Sequence, residues 1–164
     1  MKRSDIILLV ICILAAQSAG LFGSFFNFSS LDTWYLALEK PLLNPPSWVF
    51  GPVWTILFLL MGISLFLVVR EGKKFIGAQK RDFHLGLVAF GVQWILNVAW
   101  SFLFFYLRDP KGAFIEIILL IAAIIMTMYF FYRIKALAAW LLLPYLAWVI
   151  FAAYLNFSFW QINI

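Results

Sequence analysis

Charged side chains are scarce in this chain: Asp, Glu, Lys and Arg together supply 12% of its 164 residues, against 66% hydrophobic. A soluble globule draws about a quarter of its residues from the charged types. With a mean hydropathy of +1.02 there is too little polar material to coat one, so the chain reads as an integral, multi-pass membrane protein. No polar stretch is long enough to make a second folded unit, and a single domain over residues 1–164 is expected. Cysteine is reduced to Cys12, inside an apolar run, which excludes an intramolecular disulfide and leaves a small apolar residue.

Catalytic material is equally thin. Histidine is reduced to His84, beside Arg81 and Asp82, where an interfacial role accounts for it better than metal ligation; no metal site and no resident cofactor are predicted. The same scarcity argues against histidine ligation of a haem iron, so any tetrapyrrole would be held by shape, stacking and peripheral polar contacts. There is no Ser-His-Asp set, no carboxylate pair on one helix face and no glycine-rich phosphate loop. Ordinary hydrolysis and phosphoryl transfer are thereby disfavoured. The formal charge of +5 comes from short basic segments between apolar runs, which fit a membrane surface rather than nucleic acid.

What the chain has is long hydrophobic runs. Crossing about 30 Å of hydrocarbon at about 1.5 Å per residue takes about 20 residues, and five stretches qualify: 6–28, 51–69, 83–107, 113–132 and 136–160. They are about twice the length of a barrel strand, so an all-α bundle of five transmembrane helices is predicted. Lys2 and Arg3 before the first run imitate a secretory signal, and Ala16-Gln17-Ser18 a cleavage site, but the run continues to Phe28 and is kept as helix one. Lys2, Arg3, Arg70, Lys73, Lys74, Lys80, Arg81, Arg133 and Lys135 fall on one side of the membrane; Lys40, Arg108 and Lys111 fall on the other. This bias sets the N-terminus in the cytoplasm, and the loop 29–50 and the C-terminus outside.

Local signals refine the helices. Gly51-Pro52 is read as the start of helix two and Asp109-Pro110 as the turn before helix four. Pro144 lies inside helix five and should bend it, either as a plain packing kink or to open the bundle. Small residues at Ala16, Gly20 and Ser24, with Ala19 and Gly23 beside them, permit close contact of helix one with a neighbour or with a second copy. Glu116, about one turn inside helix four, is read as structural: snorkelling, serving the positive helix end, or bonding across the bundle. No internal repeat supports an inverted-repeat transporter.

Aromatic residues remain, 8 Trp and 19 Phe, most of them interfacial belt or lipid-facing filler. On helix three, however, Gln93, Asn97, Trp100, Ser101 and Phe104 share one face, and buried amides need partners. That face either bonds neighbouring helices or lines a cavity. On helix five, Trp148, Ala152 and Leu155 place a small residue between larger ones, leaving a recess for a flat ligand. Trp54 and Phe58 stand one turn apart on helix two, beneath the Pro45-Pro46 loop. Together these faces suggest an apolar pocket with few polar points.

The residues Trp34-Tyr35, Leu38-Glu39-Lys40-Pro41, Pro45-Pro46, Trp54, Asn97 and Trp100, and the runs Leu143 to Trp148 and Leu155-Asn156, resemble the TspO/translocator protein family over nearly the whole chain. The resemblance implies a five-helix bundle, often a homodimer, that binds porphyrins such as protoporphyrin IX and other planar hydrophobic ligands under the first loop. Carried over by position, the ligand-binding residues are Tyr35, Pro45, Pro46, Trp54, Phe58, Asn97, Trp100, Trp148, Ala152 and Leu155. An acidic residue at the start of helix four, here Glu116, is also common to the family. A binding or sensing role is the main expectation. A light- and oxygen-dependent breakdown of bound porphyrin, with Trp54 and Trp148 as oxidisable partners, is the enzymatic alternative, and transport of tetrapyrrole or sterol a third. The sterol motif of animal members departs here, because the end of helix five lacks its tyrosine and basic residue. A bacterial plasma membrane is the expected location.

Overall fold

In the computed structural model, which describes residues 2–28, 30, 31, 33–72 and 76–163, backbone polar groups are satisfied by helices, as hydrocarbon demands. In chain order these are α1 (Arg3–Asn27), α2 (Trp34–Ala37), α3 (Ser47–Gly72), α4 (Gly77–Ser101) running into a π-helical turn (Phe102–Tyr106), α5 (Pro110–Ile134), α6 (Ala136–Trp140) and α7 (Leu143–Ile162). Five spans are long and apolar enough to cross a membrane: α1, α3, α4 with its π turn, α5, and α6 with α7. Lys73 and Lys74 of the basic segment lie outside the described residues.

Two expectations change in detail. Helix two starts at Ser47 rather than Gly51, and Pro52 sits inside it. Pro52 is only the sixth helical residue, so its missing N–H frees just one carbonyl close to the helix end. Helix five is interrupted rather than merely bent: α6 ends at Trp140, Leu141 and Leu142 form a turn, and Pro144 occupies the first turn of α7, where a missing N–H costs nothing. The expected turn before helix four is also its cap: Asp109 Oδ1 accepts from the Gly112 amide at 2.9 Å and Pro110 is the first helical residue. The π turn had no counterpart in the sequence reading.

The bundle is held by α4 against α5, α1 against α3, and α5 against α7. The small face of helix one is used internally: Ala16, Ala19 and Gly23 are buried. Across from it, a Cβ on Gly62 of α3 would lie 2.6 Å from the Ile13 Cα, so the two backbones touch there. The core is apolar, with Met61, Val68, Ile124, Phe131, Leu142 and Val149 sealed from outside, while Leu14, Phe25, Ile95 and Leu119 face outward, as residues bathed in lipid do. At one end, Asp82 of α4 pairs with Arg133 of α5 at 3.0 Å. The other end gathers the 30–46 loop, the turn before α5 and the C-terminus.

That loop forms a lid fastened at several points. Ser30 Oγ donates to the Phe105 carbonyl at 2.6 Å, one of the helix-end carbonyls with no partner in its own helix. The Asn163 side-chain amide accepts from the Glu39 amide at 2.9 Å and donates to the Glu39 carbonyl at 3.1 Å. Tyr35 is buried against Phe104, Phe105 and Phe159, and the Lys40 ammonium lies over its ring and donates to its carbonyl. Burial pushes the Tyr35 phenol above its usual range, opposed by a hydrogen bond to Asn44, and pushes the Lys40 ammonium down.

Candidate ligand pocket

Beneath the lid lies a cavity of 570 Å³, within the range of about 300–1,000 Å³ usual for small-molecule sites. Its walls come from α1, α3, α4 with the π turn, α5 and α7, and its roof from Tyr35 and Asn44. Among the described residues no Asp, Glu, Lys, Arg or His lines it. The chamber is neutral and aromatic, suited to an uncharged or peripherally charged flat guest.

Of the ten residues singled out from the sequence, Tyr35, Trp54, Phe58, Asn97, Trp100, Trp148, Ala152 and Leu155 line this cavity, and Pro45 and Pro46 do not. The prolines stiffen the strand of loop that enters α3, and their neighbours Asn44 and Ser47 face the cavity instead. Trp54 stacks on Phe58 with centroids 5.3 Å apart, and Trp100 on Phe104 at 5.1 Å. Two flat ring pairs thus stand in one chamber, and Ala152 supplies the recess beside them.

The amide face of helix three does both things open to it. Asn97 Nδ2 donates to the Tyr145 hydroxyl at 3.0 Å, and Gln93 Nε2 lies 3.7 Å from the Met61 sulfur. Trp100 Nε1 donates to Asn156 Oδ1 at 2.8 Å, and Asn156 Nδ2 donates to the Pro110 carbonyl at 2.6 Å. These bonds tie α4, α5 and α7 together while Asn97 and Trp100 still contribute surface to the cavity. Among the described residues, two lining atoms have no hydrogen-bond partner and are shielded: Trp148 Nε1, a donor, and Asn27 Oδ1, an acceptor. A guest with complementary polar points would satisfy them.

Glu116 corrects its expectation. It is 7% exposed and neither carboxylate oxygen has a partner among the described residues, so it neither snorkels nor bonds across the bundle. Asp109 already serves the helix end, which leaves Glu116 no capping task. The sequence reading also missed the α1 wall, where Gln17, Gly20, Ser24 and Asn27 line the cavity. Its signal was legible as polar residues recurring at helical spacing within an apolar span.

The comparisons with known proteins agree with this architecture. The chain matches the family model described as TspO/MBR family over residues 10–161. It is 42% identical over 161 residues to Tryptophan-rich protein TspO of Chlorobaculum tepidum, covering 98% of this chain and 99% of that one. A protein of the same name from Archaeoglobus fulgidus is 41% identical, covering 97% and 99%. The human Translocator protein is 40% identical over 149 residues, covering 90% of this chain and 86% of its own. With the five spans, the lid and this degree of likeness along its length, the chain belongs to the TspO/MBR family of membrane proteins.

Proposed function

We propose that this protein binds porphyrins, protoporphyrin IX among them, and related flat hydrophobic ligands, and that it senses or shields them rather than transforming them. The observation that carries the reading is a neutral cavity walled by Trp54, Trp100 and Trp148, with stacked ring pairs and few polar points. Its ligand-binding residues are Tyr35, Trp54, Phe58, Asn97, Trp100, Trp148, Ala152 and Leu155, with Pro45 and Pro46 shaping the loop above. The protein works as a homodimer in a bacterial plasma membrane, with its N-terminus in the cytoplasm and the lid outside. Names such as Translocator protein among its relatives are consistent with a role in handing a ligand on.

A second reading is favoured by one observation: Trp54 and Trp148 line the same chamber. Under light, dioxygen would be the oxidant of a bound macrocycle and the two indoles its redox partners, the pigment carrying the photochemistry.

Purified protein titrated with protoporphyrin IX in the dark should show saturable quenching of tryptophan fluorescence. Illumination then separates the readings. Unchanged pigment supports binding alone, and a new absorbing product that Trp54→Phe and Trp148→Phe abolish while retaining binding supports the second. No saturable quenching at micromolar pigment would contradict both.

A further inference from the structure

The neutrality of the cavity constrains how an anionic guest can sit in it. Protoporphyrin IX is flat and apolar over most of its area but carries its propionates along one edge. None of the described lining residues is a cation. A propionate buried among them would be an unpaired charge away from water, which is costly. The acidic edge therefore needs a cation at the margin of the chamber.

Lys40 stands at that margin. Its Nζ lies 3.5 Å from the centroid of the Tyr35 ring and 5.5 Å from that of Phe159, and both rings line the cavity. The two ring faces hold the charge in place. An ammonium has three N–H donors, of which one goes to the Tyr35 carbonyl. The ion pairs among the described residues are Arg70 with Glu71 and Arg133 with Asp82, so no described carboxylate claims Lys40. The residue keeps an exposed face toward an incoming group. Partial burial pushes its ammonium down, and a carboxylate beside it would act the other way. Lys111 is placed less well, because its Nζ lies over Trp160, a ring that is not part of the lining.

We propose that Lys40 is the carboxylate anchor of the pocket: the ligand's ring system lies in the neutral chamber with its acidic edge toward the lid, where the Lys40 ammonium takes a carboxylate through the N–H groups that Tyr35 does not use. This rests on the pocket being a porphyrin site, and it adds the class of guest selected, planar ring systems with a carboxylate at the rim. The contact is a charge-assisted hydrogen bond beside aromatic faces. Uncharged planar ligands bind through the rings alone.

The test titrates full-length protein in one detergent with protoporphyrin IX and with its dimethyl ester, which has the same macrocycle and no charge, and reads tryptophan quenching. Each porphyrin partitions into detergent alike whichever variant is present, so the change on substitution is compared between the two. Lys40→Gln should weaken the diacid about tenfold and the ester by less than about twofold. Equal weakening of both, the mark of a residue that only holds Tyr35 in place, or an unchanged diacid would overturn the assignment. Covalent mapping needs no variant. The bis-N-hydroxysuccinimide ester of protoporphyrin IX acylates an amine it rests against, forming an amide at Nζ and releasing N-hydroxysuccinimide. In unmodified protein, peptide mass spectrometry should find the adduct on Lys40, suppressed by excess protoporphyrin IX. An adduct on Lys111 in place of Lys40, or one on Lys40 that excess protoporphyrin IX does not suppress, would contradict the anchor. No saturable quenching by either porphyrin would instead be a failure of the pocket reading itself.

Discussion

Asn156 shows how one buried amide joins three elements of this bundle. It is 1% exposed, accepts from Trp100 and donates to the Pro110 carbonyl, so each of its polar atoms is used. Replacing Trp100 with Phe keeps an aromatic side chain but leaves Asn156 Oδ1 without its indole donor, at a cost of about 1–3 kcal/mol. Thermal unfolding in detergent should show the loss, and an Asn156→Leu exchange in the Trp100→Phe background should recover part of it, because the orphaned acceptor is then gone. At this scale the helix-three face was legible, since Gln93, Asn97 and Trp100 recur at helical spacing within an otherwise apolar run. The α1 wall gave a weaker signal: its polar positions share the stretch with Ala16, Ala19 and Gly23, and a small-residue face signals packing whether or not a cavity adjoins it. Glu116 was misjudged because sequence position places it near the surface, while packing places it inside.

Among the elements, the α1–α3 pair and the lid govern the pocket's boundaries. Gly62→Ala drives a methyl group into the Ile13 backbone and should destabilise by about 1–3 kcal/mol, whereas Gly51→Ala meets open space and should be neutral or slightly stabilising, by about 0.5 kcal/mol. Paired melting curves would show whether the two glycines differ this way. Asn163→Ala removes the acceptor for the Glu39 amide, and exchange of that amide should quicken about tenfold while α7 keeps its protection. Hydrogen exchange resolved by residue measures it. The five spans could be read because length and apolarity are enough to specify them. Their ends were less legible: Ser47 to Gly51 extends α3 by a turn that the Gly-Pro signal hid, and the π turn at Phe102–Tyr106 arises in a sequence that is apolar all round. A one-residue change of register leaves no mark on such a pattern.

For the whole molecule, the balance of charge and apolarity decides that the chain lives in lipid, with five helices long and apolar enough to cross it. The cavity is a property of the assembled bundle alone: no single helix encodes a void, which appears where α1, α3, α4, α5 and α7 meet beneath the lid. Eight of the ten residues named from the sequence line it, because their resemblance to family positions travels with the sequence, whereas Pro45 and Pro46 act one step removed, by steering the loop. The central claim is that this chamber is the ligand's seat. The direct measurement is a protoporphyrin IX titration of Ala152→Phe, a substitution that fills the recess, alongside the unmodified protein. The account predicts a folded variant whose dissociation constant is at least about tenfold weaker, some 1.4 kcal/mol; equal affinity in a folded Ala152→Phe would contradict it.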